Sequence, residues 1–546
     1  MSKKQEVQPL SGRGIKHNRK AQGAGAYTGI MVLYMLANVL TKLLGFGREI
    51  FITSRFGYGP VSDGYILGFA VPDLVYRLLV GGAVTAAVTP ILSSAIERDE
   101  EHKAWRPIST FYTVVLIFSF VFLTLGEVFS GQMIQFLNPN KSVEVLAIAT
   151  SVSKVIFLQT FFFILIAIIN SILSSNKVFG LPVFGDSVYN LICLLAIVFL
   201  GAPTETGAVR VAWGIVFAAL CYFLYMSSFS VPYIKGFRPN LDVKHPLFRR
   251  ILWLAIPTLI AGTVNQLNVI IQQGFADQFV GAVTSLRNSQ TLYNLPYQTI
   301  VVSVGPLLLP NLSGFFARKA GGEASDFFSK SLRSVLFMMV PFVVLFMVAA
   351  DETVQAVYQW NPAKYTDTNV LATGSLLTVY AINMLLQAVI FFINQTFYAR
   401  QRSWISLFTG VINLILNPLF CLLYINVFGF GLQSLTLATC SYNLVIIVLS
   451  SRMMKRFIPE IKVRGLASFS VRALVAAILS FSVLFFLKAL LPASDDKIIQ
   501  LLQYAVLGLG GLGSYFLAAM ALKMPESASV IRMFNQFFNK FRRRKA

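Results

Sequence analysis

The chain has 546 residues, of which 56% are hydrophobic and 12% charged, with a formal net charge of +22. Soluble domains carry about 25% charged residues, so this composition excludes an ordinary soluble enzyme, and its apolar content excludes a disordered chain. A basic excess on a soluble protein points to nucleic acid; on so apolar a chain it reports how the loops sit across a bilayer, and no nucleic-acid partner is expected.

Residues 1–27 form a polar tail with six basic residues: Lys3, Lys4, Arg13, Lys16, Arg19 and Lys20. No apolar run follows closely enough for a cleavable signal peptide. Fourteen apolar segments of bilayer-spanning length come next, centred near Leu36, Leu78, Phe118, Phe161, Leu194, Phe217, Leu259, Ile300, Val340, Leu385, Leu414, Leu437, Leu479 and Leu507. The first carries Lys42, Gly45, Gly47, Arg48 and Glu49. The second, Val61 to Ile96, is 36 residues long, about 54 Å of helix at 1.5 Å per residue, against a hydrocarbon core of about 30 Å. Pro72, Gly81 and Gly82 offer places to break it, and it contains Asp63, Asp73 and Arg77. Further along, Lys154, Asp186 and Arg287 complete the ionisable groups within spans.

With the N-terminus on the cytoplasmic side, 34 of the 45 basic residues fall on that side, six on the other and five within spans, and both termini are cytoplasmic. Such asymmetry is the positive-inside pattern. A weak repeat links Pro90-Ile-Leu-Ser93 to Pro310-Asn-Leu-Ser313, one six-span block apart. The expected fold is all-α and polytopic: fourteen transmembrane helices, arranged as two pseudo-symmetric six-helix bundles plus two C-terminal helices. The boundaries read as a basic tail (1–27), a first bundle (28–230), a basic linker (231–250), a second bundle (251–450), helices 13 and 14 (451–522) and a basic tail (523–546). Parallel repeats with a site between them are a transporter architecture.

Ionisable groups within spans mark a pathway by default. Asp73 and Arg77, four apart, can pair on one helix face, and Lys42 and Glu49, seven apart, can do the same. Arg48 then has no helix partner unless Glu49 or Asp63 bends back to it, which makes Arg48 the leading ligand-contact candidate. Arginines suit phosphate oxygens through bidentate bonds, and lysines act as point charges. Cys193, Cys221, Cys421 and Cys440 lie in apolar runs without CxxC spacing, and His17, His102 and His245 do not cluster, so neither a disulfide framework nor a metal site is expected. There is no phosphate-binding GxxxxGK[ST] loop and no catalytic constellation, hence no cofactor and no enzyme. A multidrug exporter would favour acids in its cavity. A glycosyltransferase would need large outer loops, and the longest here, around Asp351–Asp367, has about 20 residues.

The run Leu43-Leu-Gly-Phe-Gly-Arg48-Glu49, then Phe56-Gly-Tyr-Gly59, Asp63, Pro72-Asp-Leu-Val-Tyr-Arg77 and Gly82-Ala-Val-Thr-Ala-Ala-Val-Thr-Pro90 resembles the opening of the MurJ (MviN) family of lipid II flippases in the MOP exporter superfamily. Further similarity runs through Ala212-Trp-Gly214, Gln266-Leu-Asn268, Leu308-Leu-Pro310-Asn-Leu-Ser313, Thr396-Phe-Tyr-Ala399, Asn413 and Asn417. The resemblance implies an alternating-access flippase in the bacterial cytoplasmic membrane. Its substrate would be undecaprenyl-diphosphate-linked peptidoglycan precursor (lipid II), or alternatively another polyprenyl-diphosphate glycan for capsule or exopolysaccharide. It would act as a monomer among membrane lipids, beside the cell-wall synthesis machinery.

Carried over residue by residue, the resemblance implies a diphosphate site of Lys42, Arg48, Arg77 and Arg287. Around it Glu49, Asp63, Asp73, Tyr76, Pro72, Gly45 and Gly82 would line or gate the cavity. Lys42 stands where the family has arginine, Glu49 where it has aspartate, Tyr76 where it has a further arginine, and Gly81 where it has glutamate. In span 8 the family's Asp-Arg pair falls on Gln290 and Thr291, and Arg287, one turn earlier on the same face, is the substitute cation. The acids of the family's sodium site are absent: Gln272, Asn413 and Asn417 occupy those spans.

Overall fold

The computed structural model describes residues 24–528 except 81, 82, 177, 179, 235, 464, 493 and 495, with side chains from residue 39 onward. Gly81, Gly82, residues 1–23 of the first basic tail and 529–546 of the last lie outside the described residues. No β-strand occurs among the described residues.

Fourteen long helices follow one another: α1 Ala24–Phe56, α2 Pro60–Glu97, α3 Glu101–Leu137, α4 Val143–Ser175, α5 Gly180–Leu200, α6 Glu205–Ser230, α7 Pro246–Phe275, α8 Ala282–Ala317, α9 Gly321–Val348, α10 Asp367–Ala399, α11 Ser403–Leu422, α12 Ser434–Phe457, α13 Leu466–Leu490 and α14 Lys497–Ala521. From α2 onward, thirteen are long and apolar enough to cross a bilayer, and α1, at 33 residues, is as long as α4. Their backbone groups bond within each helix, as a bilayer core without water demands. Several starts are capped by the sequence: Ser142 accepts from the amide of Val145 at 3.4 Å, Thr204 from Gly207 at 3.1 Å and Asp496 from Ile498 at 2.7 Å.

The helix pairings repeat after six helices. In the first bundle α1 packs on α5, α5 on α6, α6 on α4, and α4 on α2 and α3. In the second α7 packs on α11, α11 on α12, α12 on α10, and α10 on α8 and α9. This is the fold expected from the weak Pro-x-Leu-Ser repeat; α7 starts at Pro246 and α12 runs to Phe457, a wider span than 251–450. Helices α13 and α14 pair with each other and lean on α9, where the Phe337 and Tyr515 rings pack at a tilt with centroids 5.3 Å apart. Only 22% of either helix's apolar window is buried, which leaves their outer faces for lipid. The linker before α7 lies on α3 through the Arg106–Asp242 ion pair at 3.0 Å and the Ser109 hydroxyl, which accepts from the Arg238 amide at 3.1 Å.

Helix α2 is broken as its length requires. Its segments are Pro60–Leu67, Ala70–Leu79 and Ala83–Glu97. The first break falls at Gly68–Phe69, and Pro72 sits in the first turn of the middle segment, where its missing N–H costs nothing. Gly68 has no room for a side chain: a Cβ there would stand 2.6 Å from Val152 Cγ1 on α4. Its counterpart six helices later, α8, is also broken, which the sequence reading did not anticipate. It runs as an α-helix over Ala282–Pro296, widens into a π turn over Tyr297–Val301, tightens over Val302–Val304 and resumes at Gly305–Ala317. Pro306 explains the second irregularity, since it cannot donate to the carbonyl four residues back and its ring collides with it. In contrast, α1 runs unbroken through Gly45 and Gly47. The two glycines admit α5 instead: an added Cβ would meet Asn190 Oδ1 and Leu194 Cδ1, each at 3.5 Å.

Candidate functional site

Three ionisable residues of the spans, Arg48, Glu49 and Arg287, meet where the two bundles touch. Glu49 on α1 lies buried at the end of the molecule that carries the α1–α2 loop, and its carboxylate collects three bonds. Arg48 donates to Oε1 at 3.0 Å. Arg287, on α8 of the other bundle, donates through Nε to Oε2 at 2.8 Å and through its NH2 group to Oε1 at 3.0 Å. The side chains of Arg48, Glu49 and Arg287 are 24%, 11% and 35% exposed. Two guanidiniums around one carboxylate leave a net positive cluster, partly open, astride the bundle interface.

Neither pair suggested by helix spacing forms. Glu49 bonds to its neighbour Arg48 and to Arg287, and Lys42 is exposed on α1, two turns away. Asp73 and Arg77 make no ion pair. Arg77 instead donates through Nε to Gln266 Oε1 on α7 at 2.8 Å, a second link between the bundles, and Asp73 lies half-buried in the middle segment of α2. Tyr76 is half-buried against Phe163 of α4, with ring centroids 6.2 Å apart. Arg287 also lines a small cavity of about 60 Å³ with Gln272 and Gln290. The structure therefore joins Arg48, Glu49 and Arg287, sets Arg77 beside Gln266, and leaves Lys42 apart.

Beyond the cluster, at the same end of the molecule, lies a polar closure. Asp63, at the start of α2, is 2% exposed. It accepts from the backbone N–H of Thr284 at 3.0 Å and from its hydroxyl at 2.6 Å, and it pairs with Lys141 at 3.4 Å. Thr284 belongs to the first turn of α8, so Asp63 meets backbone donors that the helix itself cannot satisfy. Ser285 donates to the Tyr58 hydroxyl at 3.1 Å, and Thr53 donates to Asn288 Oδ1 at 3.0 Å. Gly281, at φ 70°, makes the approach possible: a Cβ there would fall 1.9 Å from the Tyr58 ring. Sequence reasoning named Asp63 and missed its partners on α8, because nothing in the α2 motif points to a helix more than two hundred residues away. The later segments of α2 pack against α7, as does α3.

Residues 52–504 match the family described as lipid II flippase MurJ. A probable lipid II flippase MurJ from Buchnera aphidicola subsp. Acyrthosiphon pisum is 24% identical over 413 residues, covering 74% of this chain and 80% of that protein. The lipid II flippase MurJ of Burkholderia cenocepacia is 24% identical over 372 residues, covering 66% of this chain and 71% of that one. Among solved structures, a lipid II flippase MurJ in an inward closed conformation matches with a TM-score of 0.72 at 18% identity, over 90% of this chain and 99% of the other. An inward-facing MATE-family multidrug transporter of the MOP superfamily matches with a TM-score of 0.62 at 12% identity, over 78% and 98% of the two chains.

Proposed function

The chain belongs to the lipid II flippase MurJ family, and we propose that it carries undecaprenyl-diphosphate-linked peptidoglycan precursor from the inner to the outer leaflet by alternating access. The observation that carries this reading is the Arg48–Glu49–Arg287 cluster, with one guanidinium from each bundle. A diphosphate presents more negative charge and more oxygen acceptors than a single carboxylate, in the geometry that guanidinium forks bind. It competes with Glu49 for both arginines. Because those arginines sit on different bundles, the bound anion and the bundle interface are coupled. Glu49 retakes the arginines when the substrate leaves, so the site is never two bare cations in a low-dielectric interior. Arg77, bonded to the neutral Gln266, is the third cation on the path, and exposed Lys42 is the fourth, at the entry side.

The 34-to-6 split of basic residues supports an orientation with both termini in the cytoplasm and the α1–α2 loop outside. The Asp63–Thr284–Lys141 closure is then the outer gate, shut in this conformation. The broken helices α2 and α8 hold the bundles together there, and their breaks are where the segments turn when the gate opens. The protein works as a monomer in the bacterial cytoplasmic membrane and passes its substrate to the enzymes that polymerise it.

Depletion of the protein, followed by a readout of which precursor builds up in the inner leaflet, tests the proposal. Lipid II accumulates if the reading is right. Accumulation of another polyprenyl-diphosphate glycan, with wall synthesis unaffected, replaces it with the polysaccharide reading.

A further inference from the structure

The second bundle holds a half-open cavity of about 580 Å³ between α7, α8, α10, α11 and α12, within the roughly 300–1,000 Å³ of small-molecule sites. Its wall has no acid, base or histidine. It is made instead of carboxamides, among them Gln272, Gln290, Asn294, Gln387, Asn394 and Asn413, interleaved with phenol rings. Burying so many amides costs free energy unless each finds a partner, and some do so locally. Gln272 donates to the Tyr380 hydroxyl at 3.1 Å and to Thr439 at 3.0 Å, and Gln290 donates to Gln272 Oε1 at 3.1 Å. Asn413 does not: its Oδ1 is buried with no hydrogen-bond partner among the described residues. Tyr293 and Tyr380 lie with ring centroids 4.7 Å apart.

Amides donate and accept at once, and so do sugar hydroxyls and N-acetyl groups. Ring faces suit the C–H faces of a pyranose. An ionised peptide or a phosphate would find no counter-charge in this wall, and burial of an unpaired charge is expensive. The cavity also shares Gln272 and Gln290 with the small cavity that contains Arg287. A cation and a neutral amide chamber thus adjoin, as a diphosphate and the first sugar adjoin in a lipid-linked saccharide.

We infer that the amide-and-tyrosine cavity of the second bundle is the saccharide subsite of the transporter, holding the neutral sugar rings while Arg48 and Arg287 hold the diphosphate. The inference rests on the proposed lipid-linked substrate. It makes Asn294, Gln387 and Asn413 specificity-determining residues, and it assigns the ionised peptide stem to a place outside this cavity.

The test compares two probes on the purified full chain in detergent: lipid II, and undecaprenyl diphosphate, which lacks the sugars. Asn294→Ala and Asn413→Ala each weaken lipid II binding about tenfold, as expected for one lost buried hydrogen bond, and leave undecaprenyl diphosphate binding unchanged. Arg287→Ala weakens both. Asn413→Ser, which retains a donor and acceptor, recovers part of the loss, separating binding from misfolding. Equal loss of both probes in the asparagine variants, or no loss of lipid II binding, overturns the subsite. Failure of the unmodified chain to bind lipid II overturns the transport reading itself, and the subsite with it.

Discussion

Arg287→Ala removes two of the three bonds that hold Glu49, those at 2.8 and 3.0 Å, and leaves a carboxylate 11% exposed with Arg48 as its remaining partner at 3.0 Å. Breaking a buried pair by deleting one partner costs about 3–5 kcal/mol. Here one partner remains and the Arg287 side chain is 35% exposed, so solvent screening lowers the expected loss of stability to about 2–3 kcal/mol. The same change removes one bidentate fork from the diphosphate. At about 1.4 kcal/mol per factor of ten, a loss of 2–3 kcal/mol weakens precursor binding roughly 30- to 140-fold.

The double variant Arg287→Ala/Glu49→Gln separates the two effects. It no longer buries an under-paired carboxylate, so thermal unfolding in detergent returns most of the way towards wild type. Binding of undecaprenyl diphosphate and flipping in proteoliposomes stay low, because the fork is still missing. If Arg287→Ala flips lipid II at the wild-type rate while Arg48→Ala abolishes flipping, Arg287 is no part of the diphosphate site. If the double variant regains flipping along with stability, the role of Arg287 is structural.

Three further outcomes follow from the closure. Asp63→Ala loses the two Thr284 bonds and the Lys141 pair, so the gate opens more often. In a background without the four native cysteines, a thiol placed by Ser285→Cys then reacts several-fold faster with a membrane-impermeant reagent; an unchanged rate contradicts the gate assignment. Gly281→Ala puts a methyl group 1.9 Å from the Tyr58 ring at a φ of 70°, and overpacking together with strain should cost about 1–3 kcal/mol, read as a lower melting temperature and the same rise in Ser285→Cys labelling. Gly68→Ala, whose Cβ would stand 2.6 Å from Val152 Cγ1, lowers thermal stability by a similar amount without raising that labelling, because it presses α2 on α4 inside one bundle.

Hydropathy and charge carried much of the architecture. Helix count and the break in α2 follow from properties that act over twenty to forty consecutive residues, the transfer of apolar side chains and the reach of a helix, and the basic loops carry the proposed orientation. The polar stripe of the second bundle is legible in the sequence too. Asn265, Asn268 and Gln272 recur at helical spacing, as do Gln290, Tyr293, Asn294 and Tyr297. Helical spacing misled where it was used to choose ionic partners. Lys42 and Glu49, or Asp73 and Arg77, share a helix face, yet a buried carboxylate takes whichever donors surround it in three dimensions.

What the sequence determined alone is therefore which residues are in the membrane and which charges must find partners there. The tertiary structure decided who those partners are: Arg287 for Glu49, Gln266 for Arg77, and Thr284 and Lys141 for Asp63. It also decided that the amides of five helices face one chamber and that α8 breaks as α2 does. These contacts join residues up to 238 positions apart, several of them across the bundle interface. They depend on how the helices dock on one another, which no pattern local to a single span encodes.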